Sequence, residues 1–154
     1  MNREILFRGK KIDNGEWIYG NYEWYHKPQK HIISNPYTGE TKGVLPETIG
    51  QFTGLTDKNG AKIFEGDVLG DEEFYSQYDK KYYGAMRVMY ARIGYDGRAG
   101  LAGFMTGTGT QADYNTGEKF ICCDRGINLS RIKVIGNIYD NPELLEENDC
   151  KSDV

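Results

Sequence analysis

At 154 residues the chain suits one ordinary domain or two small β modules, with a low apolar content of 38% and a high aromatic content of 13%. Nine Lys/Arg against seven Asp/Glu give residues 1–64 a charge of +2, while ten against sixteen give residues 65–154 a charge of −6. The total of −4 leaves too little concentrated Lys and Arg for a broad phosphate-binding surface. Cys122, Cys123 and Cys150 are odd in number and none lies in a CxxC spacing, which excludes a disulfide framework and a structural zinc site.

The start of the chain has no apolar h-region, and no stretch approaches the roughly 20 apolar residues of a membrane span. A soluble, cytoplasmic protein with no membrane partner is therefore expected. The 20 glycines among abundant Tyr, Val, Ile and Thr predict many short strands joined by tight turns. The first apolar run is 5–7, ended by the basic turn Arg8, Gly9, Lys10, Lys11. Asn14-Gly15 is a hairpin-turn signal. Residues 17–25 follow as the strongest strand candidate, rich in aromatics and without a helical period. Gly20 within it predicts a bulge or a close backbone approach.

A short strand is expected at 31–33, a loop at 35–39, and a turn followed by a strand at 46–52. The segment 53–67 reads as turn, strand, tight turn, strand. Its turns are marked by Asn59-Gly60, a type I′ signal, and by Glu65-Gly66-Asp67. Residues 71–85 carry Phe74, Tyr78 and Tyr82 at helical spacing, which fits a short amphipathic helix; an excursion between strands fits as well. A strand follows at 86–93, then a Gly/Thr-rich loop over 96–117 with one strand near 101–105. Strands at 119–123 and 132–139 come last, before a short helix begun by Asn141 and Pro142 and an acidic tail at 146–154.

No catalytic constellation emerges. His26 and His31 are the only histidines, with no carboxylate or cysteine cluster beside them, so neither a nucleophile–base pair nor a metal site is expected. Glu65 and Asp67 could serve as paired carboxylates, but the intervening Gly66 makes them turn supports, with Asp67 capping backbone N–H groups; Asp57 reads the same way. The Gly107-Thr108-Gly109 run lacks the Lys-Ser/Thr of a phosphate-binding loop. Candidate binding residues are Trp24 and Tyr25 at the end of the aromatic strand, and the basic Arg8, Lys10 and Lys11. The bland reading of both groups is core packing and a solvated turn.

Several motifs occur together and in order. They are Ile5-Leu6-Phe7-Arg8-Gly9-Lys10, Asn14-Gly15-Glu16-Trp17-Ile18-Tyr19-Gly20, the run from Pro46 to Gly60, Ile63-Phe64-Glu65-Gly66-Asp67-Val68, and the run from Val134 to Leu145. With these the chain resembles the YopX family of phage and prophage proteins over nearly its whole length, the stretch 71–127 excepted. The resemblance implies a phage or prophage origin and the cytoplasm of a bacterial host. It implies no catalytic or binding residue.

The expected fold is mainly β: an N-terminal aromatic-rich antiparallel sheet (1–65), a C-terminal SH3-like small barrel with the Gly/Thr-rich loop (66–145), and an acidic tail (146–154). The expected function is that of a non-catalytic accessory protein without a cofactor. It would act through protein contacts, with itself as a homo-oligomer and with an unidentified host or phage protein. The alternative is a single-stranded nucleic-acid-binding module that uses the aromatics and the basic turn.

Overall fold

A computed structural model describes residues 4–92, 102–107 and 129–146, and the chain divides into two compact units, 1–55 and 56–154. The division falls ten residues before the expected boundary at 65. The reason lies in segment 56–65: its Asp57 carboxylate accepts the Val134 N–H at 3.0 Å, and the Lys58 N–H donates to the Ile132 carbonyl at 3.0 Å. The strand expected at 119–123, the three cysteines, residues 147–154 of the tail and all of the 96–117 loop outside 102–107 lie outside the described residues.

In the first unit the strands are β1 (Phe7–Lys10), β2 (Trp17–His26), β3 (Gln29–Ser34), β4 (Thr41–Gly43) and β5 (Gly50–Thr56), all antiparallel, in the order β4-β3-β2-β1-β5. The long strand β2 serves two partners. Its first part pairs with β1, from Lys10↔Trp17 to Phe7↔Gly20, and its second part pairs with β3, from Asn21↔Ser34 to His26↔Gln29. Gly20 sits at the change of partner. A Cβ there would lie 2.0 Å from the Ser34 carbonyl oxygen, so the close approach expected from the sequence is what the glycine permits.

A bridge between Lys11 and Val44 brings the end of β4 back to the end of β1, with Ile12 N–H donating to the Gly43 carbonyl and Leu45 N–H to the Lys10 carbonyl. The sheet thus curls over a core of Ile18, Ile33 and Val44, against which Phe7, Tyr22 and Ile49 pack. A 3₁₀ turn, Pro46–Thr48, caps this core. Its buried Thr48 hydroxyl accepts the Lys10 N–H at 2.8 Å and donates to the Leu45 carbonyl at 2.7 Å, which leaves neither of its roles open.

In the second unit the strands are β6 (Lys62–Phe64), β7 (Asp67–Asp71), β8 (Tyr75–Ser76), β9 (Lys81–Tyr82), β10 (Met86–Arg92), β11 (Ala102–Gly107) and β12 (Ile132–Asn137), followed by helix α1 (Glu143–Glu146). Four of them form an antiparallel sheet in the order β11-β10-β7-β12, and β8 and β9 form a separate two-stranded ribbon. The region 71–85 is therefore an excursion between strands, and no α-helix forms there. Among the described residues the sheet is open, so the closed SH3-like barrel is absent from them; the fifth expected strand, 119–123, is not among them.

Central strand β7 is buried at all five positions. Alternation sends Leu69 to a cluster with Ile63, Val88 and Ile132, and Val68 to a cluster with Ala85 and Leu145. Asn141 precedes α1, but its side-chain oxygen turns back to the Asn137 N–H at 3.4 Å, while its carbonyl accepts the Leu144 N–H.

The turn at Asn59-Gly60 departs from the type I′ expectation. Gly60 has φ +80°, but Asn59 is not at positive φ, because Asp57 supports the turn from inside. One Asp57 oxygen accepts the N–H groups of Asn59 (2.8 Å) and Ala61 (2.9 Å), and the other accepts that of Val134. Burial works to raise the pKa of this carboxyl. The three backbone donors, led by Val134 and assisted by Lys133, outweigh that and hold it below the usual aspartate range.

Candidate functional site

Three buried carboxylates hold the backbone of the second unit. Besides Asp57, the buried Asp67 accepts the Phe64 N–H at 2.7 Å across the Gly66 turn, where Gly66 has φ +88°. Asp71 accepts the Glu73 N–H and an Arg131 guanidinium N–H, each at 3.0 Å. Glu65, the other half of the pair singled out in the sequence, is half-buried beside the same turn. Asp57 thus takes three backbone N–H groups, Asp67 one, and Asp71 one beside its Arg131 partner, which places each as a support of its turn.

A continuous run of exposed residues forms the distal part of the β2–β3 hairpin. Beyond Tyr22 the two strands pair with each other in regular register to His26↔Gln29, closed by Lys27 and a cis-Pro28. Residues 23–30 are nevertheless all exposed, because β4 reaches only as far as Ile32 on the outer side. The result is a two-stranded ribbon projecting from the curled sheet.

The strand period of two gives the ribbon two faces. On one, Tyr22, Trp24 and His26 of β2 stand opposite Ile33, His31 and Gln29 of β3. The Tyr22 hydroxyl and His31 Nδ1 are hydrogen-bonded at 2.7 Å, and the His31 ring lies within 8° of parallel to the Trp24 ring at a centroid distance of 6.0 Å. Trp24 also touches His26, at 4.1 Å between centroids. This aromatic row continues inward through Phe7 to the core, so the ribbon is anchored at its root.

On the opposite face, Tyr25 stands across from Lys30 and donates its hydroxyl to the Glu23 carboxylate at 2.7 Å, which holds that phenol above its ordinary range. Trp24 and Tyr25 are both about half exposed, at 48% and 49%. The two candidates are both exposed, on different faces of the ribbon.

The basic candidates fare differently. Arg8 is 6% exposed, with its guanidinium stacked 4.5 Å from the centroid of the Trp17 ring. Lys10 reaches over the same ring at 5.5 Å. Lys11 meets Glu40 at 2.7 Å and Glu16 at 3.7 Å, and the hydrogen bond to Glu40 raises its pKa. The three do not converge on an open anion-binding patch. Two lysines that sequence reading passed over, Lys27 and Lys30, stand on the ribbon instead, and no acidic residue occurs from 24 to 31. The available signal was their place at the tip of an aromatic hairpin whose outer strand has a shorter neighbour.

A groove of about 530 Å³ opens at the base of the ribbon beside β3, with Ile12, Ile32, Val44 and Pro46 as its apolar walls and Lys30 and His31 at its rim. No helix among the described residues is long and apolar enough to cross a membrane.

Comparison with known proteins bears on identity. No curated protein matches the chain. Among solved structures it is similar to protein EF1440 from Enterococcus faecalis, with 25% identity and a TM-score of 0.51 over 94% of this chain and 99% of that one. The family model described as YopX protein matches residues 6–146, which include every motif of the resemblance apart from its first residue. The chain belongs to the YopX protein family.

Proposed function

We propose that this family member is a non-catalytic accessory protein of a phage or prophage, acting in the bacterial cytoplasm through protein contacts made by the β2–β3 ribbon. The observation that carries the reading is the run of eight exposed residues, 23–30, held in regular pairing and furnished with Trp24 and Tyr25. Ordered, solvent-facing Trp and Tyr are the side chains on which protein interfaces concentrate their binding energy. A second copy of the chain is among the partners this reading includes. For the second unit it retains the SH3-like barrel, with β7, β10, β11 and β12 among its strands.

Single-stranded nucleic acid is the rival partner class. Base stacking would need aromatics on one platform beside free cations. Here Trp24 and Tyr25 face opposite ways and so share no platform, Glu23 stands beside Tyr25, and with Arg8 buried and Lys11 paired the cations left beside the aromatics are Lys27 and Lys30 alone. Those placements favour protein.

The test is affinity capture from bacteria carrying the phage, with wild type and a Trp24→Ser/Tyr25→Ser double variant as baits. Wild type retains a protein partner, itself included, which the folded double variant loses. Equal retention by both baits would overturn the reading. So would salt-sensitive binding of an oligothymidylate that depends on the same two aromatics.

A further inference from the structure

We infer that the outer edge of β3, at Gln29 and Lys30, together with the groove beside it, receives an extended acidic peptide segment of a partner protein as an added strand; this rests on the ribbon being the contact element.

The edge is open for a reason visible in the pairing. Strand β4 lies beside β3 only from Ser34 to Ile32, and the Val44 N–H then donates to the His31 carbonyl at 2.9 Å. At Val44 the chain leaves β3 and bridges to Lys11 instead. Backbone groups on a strand alternate sides, so if those of His31 face the β4 side, those of Gln29 face it too. Among the described residues no strand lies there. That leaves the Gln29 N–H and carbonyl beyond the end of the β3–β4 pairing, and edge backbone groups that a neighbouring strand stops short of covering are where an added strand pairs.

The chemistry beside the edge selects the guest. Of the apolar residues lining the groove, Ile12 is 65% exposed and Val44 1%, so Ile12, with Ile32 and Pro46, is what an apolar side chain would meet. Lys30 at the rim and Lys27 at the tip have no ion pair among the described residues, and no acidic residue accompanies them between 24 and 31. The nearest acidic residue in sequence is Glu23, whose carboxylate accepts the Tyr25 hydroxyl, so the two lysines form a small positive site at the end of the ribbon. An extended segment alternating apolar and acidic residues satisfies all three features: backbone to Gln29, apolar side chains in the groove, carboxylates to Lys30 and Lys27. A nucleic acid strand would satisfy the lysines alone and leave the apolar walls unused.

The experiment titrates the full chain, labelled with ¹⁵N, with a blocked hexapeptide alternating Val and Glu. Amide shifts are expected at Gln29, Lys30 and Ile12. Affinity should fall at least roughly tenfold in Lys30→Glu, and it should return when Lys replaces Glu in the peptide. Ile12→Asp, at an exposed position, should also abolish binding.

Absence of shifts up to about 1 mM peptide overturns the inference. So does binding that Lys30→Glu leaves unchanged, displacement of the peptide by an oligothymidylate of equal length, or a groove filled by self-association. If the peptide fails while capture still depends on Trp24 and Tyr25, this inference falls alone. If capture is also indifferent to those aromatics, the ribbon reading falls with it.

Discussion

Strand β7 and the distal half of β2 are both regular antiparallel strands, yet one is buried at all five of its residues and the other is exposed at its last four. In β7 even the carboxylates serve the backbone, with Asp67 on the Phe64 N–H and Asp71 on the Glu73 N–H. In the ribbon, aromatic side chains that could have filled a core face solvent instead. A two-stranded hairpin holds little stability of its own, and this one is ordered through the aromatic row that runs from Trp24 to Phe7. The difference separates what the fold requires from what it presents.

That contrast can be broken at several points. The largest effect belongs to Leu69→Ala in β7, which removes a side chain that is 1% exposed from the centre of a cluster. It should cost about 2–5 kcal/mol in urea unfolding. Next comes Asp57→Asn. An amide nitrogen cannot accept an N–H, so one or more of the Asn59, Ala61 and Val134 donors loses its partner, at about 1–3 kcal/mol.

The same substitution should flatten the acid limb of stability. The Asp57 carboxyl titrates lower in the folded than in the unfolded chain. Its contribution is therefore present above the ordinary aspartate value of 3.8 and is lost as pH falls below it through the depressed value. Urea midpoints measured from pH 7 downward check this: wild type declines more steeply below about pH 4 than the variant.

On the ribbon, Trp24→Ser with Tyr25→Ser should change stability by no more than about 1 kcal/mol, since both rings are half in solvent. A loss as large as that of Leu69→Ala would mean that the ribbon is core after all. The smallest effect is a gain. Lys80 sits at φ +54° in the β8–β9 turn. Glycine there should relieve the left-handed strain while adding unfolded-state freedom, for a net increase of about 0.5 kcal/mol, read as a higher urea midpoint.

Much of this fold was legible from turn chemistry and strand pattern. Gly20 announced a close approach because a strand interior rarely spends a glycine otherwise, and the Ser34 backbone is what approaches. The 53–67 segment announced two turns, and Asp57 and Asp67 support them. Type I′ geometry was misread at Asn59 because local propensity does not register a carboxylate that also bonds a strand 77 residues away. The helical spacing of Phe74, Tyr78 and Tyr82 misled in a similar way: Tyr82 packs on Gly70, where a Cβ would lie 2.6 Å from its ring, and Tyr78 is 99% exposed.

For the candidate site, alternation told that Trp24 and Tyr25 differ in facing but not which elements stop short of them. The open edge of β3 depends on β4 being three residues long, and that follows from the Lys11–Val44 bridge, a tertiary contact with no local signal. Arg8 was misplaced for a related reason. Its charge reads as surface until the Trp17 ring above it is known.

The measurement that tests the central claim most directly is quantitative affinity capture with wild type and Trp24→Ser/Tyr25→Ser baits of matched urea midpoint. The ribbon account predicts a protein partner held by the first and lost by the second. Partner recovery that is equal for the two baits would contradict it.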